Sequence, residues 1–276
     1  MIWRCRNRDI PLGRPIVMGV LNVTPDSFSD GGQFAGADAA IERAAAMVAE
    51  GAAILDVGGE STRPGATPVD AAAEIERVVP VIERVAARLD VAISVDTSKC
   101  AVMAAAVAAG ACIINDVNAL RAPGARELAA SLGVGVCLMH MQGEPRTMQL
   151  DPQYTDVVRE VGEFLVARRA ACIAAGIRQE QICLDPGIGF GKSESHNLAL
   201  MARLPELVAL GSPLLLGVSR KSFIGRILGA GVERRLYGGI GLAALAVSRG
   251  VKIIRTHDVA PTRDAMHMVS AVLQGS

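Results

Sequence analysis

The sequence predicts a closed (β/α)8 barrel, a single α/β domain with long loops after the first and second strands. Three observations carry that prediction. An alanine-rich amphipathic helix, a glycine and a short β-branched run recur along the chain, and glycine is the expected left-handed stop of a helix that feeds a strand. Eight such runs fit into 276 residues with helices between them and no inserted second domain. The runs end in polar residues throughout, as expected of strands converging on one mouth. In the alternative, a doubly wound open sheet, those residues would be strung along an edge with a ligand near only the switch point.

The elements follow in order. Residues 16–21 form the first strand, ending at Asn22. Gly51 precedes Ala53-Ile54-Leu55-Asp56, and residues 91–95 lead to Asp96. Gly110 precedes Cys112-Ile113-Ile114-Asn115, and Gly133 precedes Val136-Cys137-Leu138-Met139-His140. Residues 182–184 lead to Asp185. Gly211 precedes Leu214-Leu215-Leu216-Gly217, with Ser219, Arg220 and Lys221 beyond; Gly250 precedes Lys252-Ile253-Ile254-Arg255, with His257 beyond. Thr67-Pro68-Val69-Asp70 resembles a capping-box entry to a helix, and Pro80 inside that helix is expected to kink or split it. Residues 24–36 and 58–66 are the longest irregular stretches, and their glycine, proline and serine content suits loops that close over a site. The domain spans 1–276, with its motifs between about 16 and 273.

Composition narrows the partners. Lys+Arg and Asp+Glu each total 28, so no net field draws the chain to nucleic acid or to an anionic membrane, and any anion must be held locally. Arg4, Arg6 and Arg8 are followed by Asp9 and Pro11, which argues against a signal peptide. The long uncharged run of residues 100–114 is too short to span a bilayer and is broken by Gly110. Six cysteines show no paired metal-ligand spacing and read as reduced core residues of a cytoplasmic protein.

The chemistry centres on Asp185-Pro186-Gly187-Ile188-Gly189-Phe190-Gly191-Lys192, where a buried strand delivers a carboxylate to a close-fitting loop. A P-loop would need glycine at Pro186, and a dinucleotide fingerprint would need one more residue before Gly191. Asp96, Asn115 and Asp185 at one mouth suit a ligand edge rich in N–H donors, such as a 2-aminopyrimidinone, each bond to a charged group being worth about 1.5–3 kcal/mol. A general acid/base pair is the competing reading. Arg255, His257, Asn22 and Arg63 suit a phosphate-like group, and Asn22 offers a hard oxygen to a magnesium ion sharing it. The competing reading there leaves Arg255 in a rim ion pair with Asp258 or Asp56. Lys221 invites a Schiff-base role, but Arg220-Lys221 opens a helix, whereas that role needs a desolvated lysine. Phe28, Phe190 and Phe223 lie just beyond strand ends and point to a flat ligand. Met139, His140 and Met141 read as core or rim, and His196 and His267 as surface positions on helices.

Met18-Gly19-Val20-Leu21-Asn22-Val23-Thr24-Pro25-Asp26-Ser27-Phe28-Ser29-Asp30-Gly31-Gly32 and Gly59-Glu60-Ser61-Thr62-Arg63-Pro64-Gly65 resemble the two signature loops of the dihydropteroate synthase family. The 185–192 stretch, Ser219-Arg220-Lys221-Ser222 and Arg255-Thr256-His257-Asp258-Val259 resemble its later motifs, in order. The resemblance implies a barrel enzyme that joins 7,8-dihydropterin-6-ylmethyl diphosphate to p-aminobenzoate, with Mg2+; a methylene–diphosphate bond beside an electron-rich pterin suggests a dissociative, SN1-like displacement. By the same resemblance Asp96, Asn115, Asp185 and Lys221 hold the pterin with help from Thr62, while Asn22, Arg255 and His257 hold the diphosphate and its metal. Phe28, Thr62, Arg63, Pro64, Phe190, Lys221 and Ser222 would form the p-aminobenzoate site, which sulfonamides occupy in the family. Asp96, Asp185, Lys221, Arg255 and His257 would be catalytic. A homodimer is implied as well, for which the apolar helix 236–248 is a candidate interface. Thr256 stands where the family more often has an aliphatic residue, and its side chain should point away from the anion. Three rivals are a corrinoid-linked methyltransferase on the same barrel, a Schiff-base lyase using Lys221, and a silent pterin-binding paralogue. The first has no need of Arg63 with Arg255 and His257, and the last would show damage in motifs that are intact here.

Overall fold

A computed structural model describes residues 1–23, 32–61, 67–144 and 147–275 of the chain. It opens with an antiparallel hairpin that the sequence reading did not anticipate, β1 (Ile2–Cys5) and β2 (Arg8–Pro11). Eight parallel strands follow: β3 (Ile16–Asn22), β4 (Ala52–Gly58), β5 (Ala92–Asp96), β6 (Ile113–Asp116), β7 (Gly135–Met139), β8 (Ile182–Asp185), β9 (Leu215–Gly217) and β10 (Ile253–Thr256). They pair in the order β8-β7-β6-β5-β4-β3-β10-β9. A bridge between Leu184 and Leu214, with the Leu184 N–H donating to Pro213 O at 2.9 Å, joins the two ends into a ring.

Helices alternate with the strands: α1 (Gly32–Ala49), α2 (Ala71–Arg88), α3 (Cys100–Ala109), α4 (Ala125–Leu132), α5 (Val157–Ala174), α6 (Glu194–Ala202), the short α7 (Leu204–Val208), α8 (Ser222–Leu228), α9 (Leu236–Ser248) and α10 (Val259–Gln274). The glycines of the repeated phrase, Gly51, Gly110, Gly133, Gly211 and Gly250, all have positive φ, the conformation that ends a helix. Two local expectations need correction. The α2 cap is Asp70, which accepts from Ala73 N, and Thr67 lies outside it. Pro80 does not split α2, because it sits on the exposed face, where water can take the carbonyl freed by the missing N–H. No helix among the described residues is long and apolar enough to cross a membrane.

Side chains alternate along each strand, and the two faces have different tasks. Outward residues such as Val17, Leu21, Leu55, Val57, Ile93, Val95, Ile114 and Leu216 pack under the helices in the larger core. Inward residues near the strand starts, Met18, Ile54, Ala92, Ile113, Cys137, Cys183, Leu215 and Ile253, fill the ring with apolar side chains. The hairpin closes that end: Trp3, Cys5, Ile10 and Leu12 join the inner cluster, and the Trp3 indole donates to Gln181 O at 2.8 Å. β7 starts at a glycine because a Cβ on Gly135 would lie 2.5 Å from Cys5 Sγ. All six cysteines are free and five are buried, as expected of core residues.

Candidate active site

The same alternation carries polar residues inward at the strand ends: Asn22, Asp56, Ser94, Asp96, Asn115, Asp185 and Arg255. Strand register sets their depth. Arg255 pairs with Met18 and Gly217, and Met18 pairs with Ile54; Asp56, pairing with Ser94, lies one inward position higher, and Asp96, opposite Gly58 and Asn115, one higher still. The Arg255 side chain is long enough to climb this stagger. Its Nε donates to Asp56 Oδ2 at 2.6 Å and its Nη2 to Asp96 Oδ2 at 2.7 Å, while Asn115 Nδ2 donates to the same Asp56 oxygen at 2.9 Å. Acid and base are therefore bonded across the floor, so the competing reading that paired Arg255 with Asp56 holds, with Asp96 as a second partner. Asp258, the other candidate partner of Arg255, instead takes Arg220 through two hydrogen bonds.

One guanidinium serves two carboxylates here, so one is under-compensated. Burial pushes the Asp96 carboxyl up to about 7, against Arg255 and with the repulsion of Asp56, Asp116 and Glu74. Asp185 is also raised by burial, although the Gly187 N–H donates to its Oδ1 at 2.7 Å and Lys221 and Arg255 pull the other way. Asp56 Oδ1, Ser94 Oγ and Asp96 Oδ1 are buried without a hydrogen-bond partner among the described residues. A ligand presenting N–H groups to Asp96 would meet an acceptor already stripped of water.

Asp96, Asn115, Asp185 and Arg255 line a cavity of about 690 Å3. Every expected site residue in the described part faces it: Asn22, Asp96, Asn115, Asp185, Phe190, Lys221, Ser222, Arg255 and His257. Phe28, Thr62, Arg63 and Pro64, with most of the two long loops, lie outside the described residues. Ser219 Oγ and His257 Nδ1 share a hydrogen bond of 3.0 Å, which orients the imidazole beside Arg255. Lys221, half-buried at the cap position of α8, holds its ammonium 4.2 Å from the Phe190 ring centroid. Phe190 also packs on Val117, Met139, Met141 and Met148, of which Val117, Met139 and Met148 line the cavity. Phe223 does not face the ligand space; it is buried in the outer core. Thr256 points away, toward Thr262, as expected.

The alternating glycines are explained by close approach. A Cβ on Gly187 would fall 1.9 Å from His140 O, and one on Gly191 would fall 2.4 Å from Gln142 O, so the loop after β8 lies flat on the loop after β7. Side chains grip it at three successive carbonyls: Gln149 Nε2 donates to Gly189 O, Lys192 Nζ to Phe190 O and Tyr154 Oη to Gly191 O. The second loop is anchored by Glu60, which accepts from Val69 N at 3.0 Å and pairs with Lys99, itself paired with buried Glu74. Sequence reasoning had Asp56 as a candidate partner of Arg255 but not as the hub of the floor, and it missed Ser94, Lys192, and Met148 with Gln149. Asp56 carried a signal, being a polar strand end; Met148 and Gln149 carried none, because only the packing of two loops brings them to the mouth.

A heterocycle with several N–H donors and an anionic tail fits this mouth, and a family model described as pterin binding enzyme matches residues 18–257. The fold and floor thus define a pterin-binding barrel enzyme. Relatives narrow the class. A dihydropteroate synthase of Escherichia coli (strain K12) is 52% identical over 264 residues, covering 96% of this chain and 94% of that protein. The structure of a Yersinia pestis dihydropteroate synthase with a sulfonamide drug superposes with a TM-score of 0.94 at 48% identity, covering 99% of this chain and 100% of that one. That of a Xanthomonas albilineans dihydropteroate synthase with 4-aminobenzoic acid gives 0.93 at 50% identity, covering 99% and 98%. The chain belongs to the dihydropteroate synthase family.

Proposed function

We infer that this enzyme condenses 7,8-dihydropterin-6-ylmethyl diphosphate with p-aminobenzoate to give 7,8-dihydropteroate and diphosphate. The observation that carries the reading is that Asp96 and Asp185 face the same cavity as Arg255 and His257. The bond that breaks joins a methylene carbon to a diphosphate oxygen, and its electron pair leaves with the oxygen. The electron-rich dihydropterin spreads the resulting positive charge, which Asp96, helped by Asp185, stabilises as an anion held in a dry floor. Arg255 and His257 receive the charge on the leaving group. The aromatic amine then forms the C–N bond and releases its surplus proton to the diphosphate or to water. It needs no general base of its own, being uncharged, so its position and the exclusion of water govern this step.

Asn22 presents an amide oxygen at the mouth, and among the described residues no group of three or more His, Cys, Asp or Glu could hold a metal unaided. Magnesium, which tolerates few protein ligands when a diphosphate is present, would fit this donor set with Asn22 as the residue that holds it. When bound it supplies neutralising charge to the diphosphate. On the amine side, Phe190 supplies a ring wall, Lys221 a cation, and Ser222 a hydroxyl beside the mouth, with Phe28, Thr62, Arg63 and Pro64 completing the p-aminobenzoate site; relatives solved with 4-aminobenzoic acid and with a sulfonamide support that reading. Free, mostly buried cysteines suit the cytoplasm. The exposed Tyr237 and Leu245 on α9, with Val272 and Leu273 on the neighbouring α10, support a homodimer.

Diphosphate release measured with the pterin diphosphate and magnesium, with and without p-aminobenzoate, tests the reading. Release that requires the amine and matches dihydropteroate formed is expected. Methyl transfer to a corrinoid, or trapping of Lys221 by borohydride with a carbonyl substrate, would replace it with one of the rival readings.

A further inference from the structure

Lys192 closes the glycine-rich stretch and is 1% exposed, the only lysine among the large fully buried side chains. No step of the displacement uses it. Its Nζ donates to two carbonyls, Phe190 O at 2.9 Å and His140 O at 3.4 Å, and lies 2.9 Å from His140 Nδ1. Burial pulls the Lys192 pKa down to about 7, with Asp185 acting the other way, so below neutrality the group is an ammonium with three donors. His140 must then accept through Nδ1 and carry its proton on Nε2. Burial, with Lys192 beside it, holds the His140 pKa down at about 3, so the imidazole stays neutral.

The consequence reaches the mouth through one carbonyl. Gly189 O and Gly191 O are held by Gln149 and Tyr154, which are neutral donors; Phe190 O is held by the one charged donor of the set, and charge-assisted bonds are about twice as strong. Phe190 is the residue whose ring underlies the Lys221 ammonium and borders the cavity. We propose that Lys192 is a positioning residue for the amine substrate, its buried ammonium fixing the Phe190 backbone and so the ring wall that receives p-aminobenzoate. This deepens the proposed function and rests on its placement of p-aminobenzoate against Phe190. The pterin side should feel Lys192 little. Lys192 and Asp185 attract each other through space, but the Gly187 N–H, Lys221 and Arg255 pull on the Asp185 carboxyl more strongly.

Lys192→Met keeps the volume and removes the charge and donors. Steady-state kinetics should show KM for p-aminobenzoate raised about tenfold, as for one lost hydrogen bond to a charged group, with KM for the pterin diphosphate changed less than about threefold. Unchanged KM values, or equal rises in both, would overturn the proposal. The unaltered enzyme supplies a second readout that survives a misfolded variant. Its lysines are four, Lys99, Lys192, Lys221 and Lys252, so 15N-lysine labelling gives a sparse spectrum. Lys192 should show a slowly exchanging ammonium signal coupled to the Phe190 carbonyl at pH 6; a rapidly exchanging or neutral amine would overturn the proposal. Amine-dependent diphosphate release by the same unaltered enzyme tests the underlying reaction separately.

Discussion

The two ends of the barrel use the same eight strands and the same inward positions, yet they are chemical opposites. At the strand starts the ring is packed with Met18, Ile54, Cys137 and Ile253 and stoppered by Trp3. At the strand ends it holds Asp56, Asp96, Asn115, Asp185 and Arg255, with buried oxygens that have no partner among the described residues. One end lowers the free energy of folding; the other stores unfavourable desolvation that a ligand can relieve. A strand only five residues long, such as Ala92–Asp96, thus carries both tasks, two positions apart at Ala92, Ser94 and Asp96.

Three substitutions probe that division. Trp3→Ala should have the largest effect on folding, about 3–5 kcal/mol in urea unfolding, because it opens a cavity in the stopper and frees Gln181 O. Turnover per folded molecule should be unchanged; a matching fall in turnover would show that the two ends are coupled. Asp96→Asn should do the reverse. It should reduce kcat about a hundredfold or more, by about 2.7–4 kcal/mol, as when one preorganised electrostatic contact to a transition state is lost, while pterin affinity changes only a few-fold. Equal losses in kcat and affinity would remove the cation-stabilising role.

The same variant has a signature in pH. An Asp96 carboxyl at about 7 when folded, against an ordinary 3.8, means that the folded state binds the proton more tightly. Its contribution to stability is therefore present at low pH and is lost as pH rises from about 4 toward 7. Asp96→Asn should flatten that part of the stability profile and leave the protein as stable or more so near neutrality. Asp56→Asn should have the smallest effect of the three. It frees Arg255 to serve Asp96 alone and removes a repelling charge, so the rising limb of kcat/KM against pH should move to lower pH. A limb that stays in place would mean that a group other than Asp96 governs it.

Much of the mouth was legible because its residues obey local rules. A short apolar, β-branched run that ends in Asp or Asn specifies a strand and the residue at its tip, and this located Asn22, Asp96 and Asp185, with the helix and glycine before the run marking Asn115 as well. What strand tips do not reveal is depth. The stagger of the ring sets Arg255 two inward positions below Asp96, so their contact is a property of register between strands far apart in sequence. The stopper was hidden for a related reason. Ile2–Cys5 and Arg8–Pro11 are four residues each, too short for the alternation of Trp3, Cys5 and Ile10 to stand out among the arginines, which in the sequence bear only on a signal peptide. Phe223 misled because position beyond a strand end does not fix which way a ring points.

The account stands on charge separation at the methylene carbon, with bond breaking ahead of bond making. The direct measurement is the secondary isotope effect on kcat/KM with the methylene of the pterin diphosphate dideuterated. A clear normal effect, the protiated substrate reacting faster, is predicted, because the carbon becomes trigonal between Asp96 and the departing diphosphate before the amine arrives. A ratio of one or below would show the amine pushing the diphosphate out, and would contradict the roles given to both ends of the Asp96–Arg255 floor.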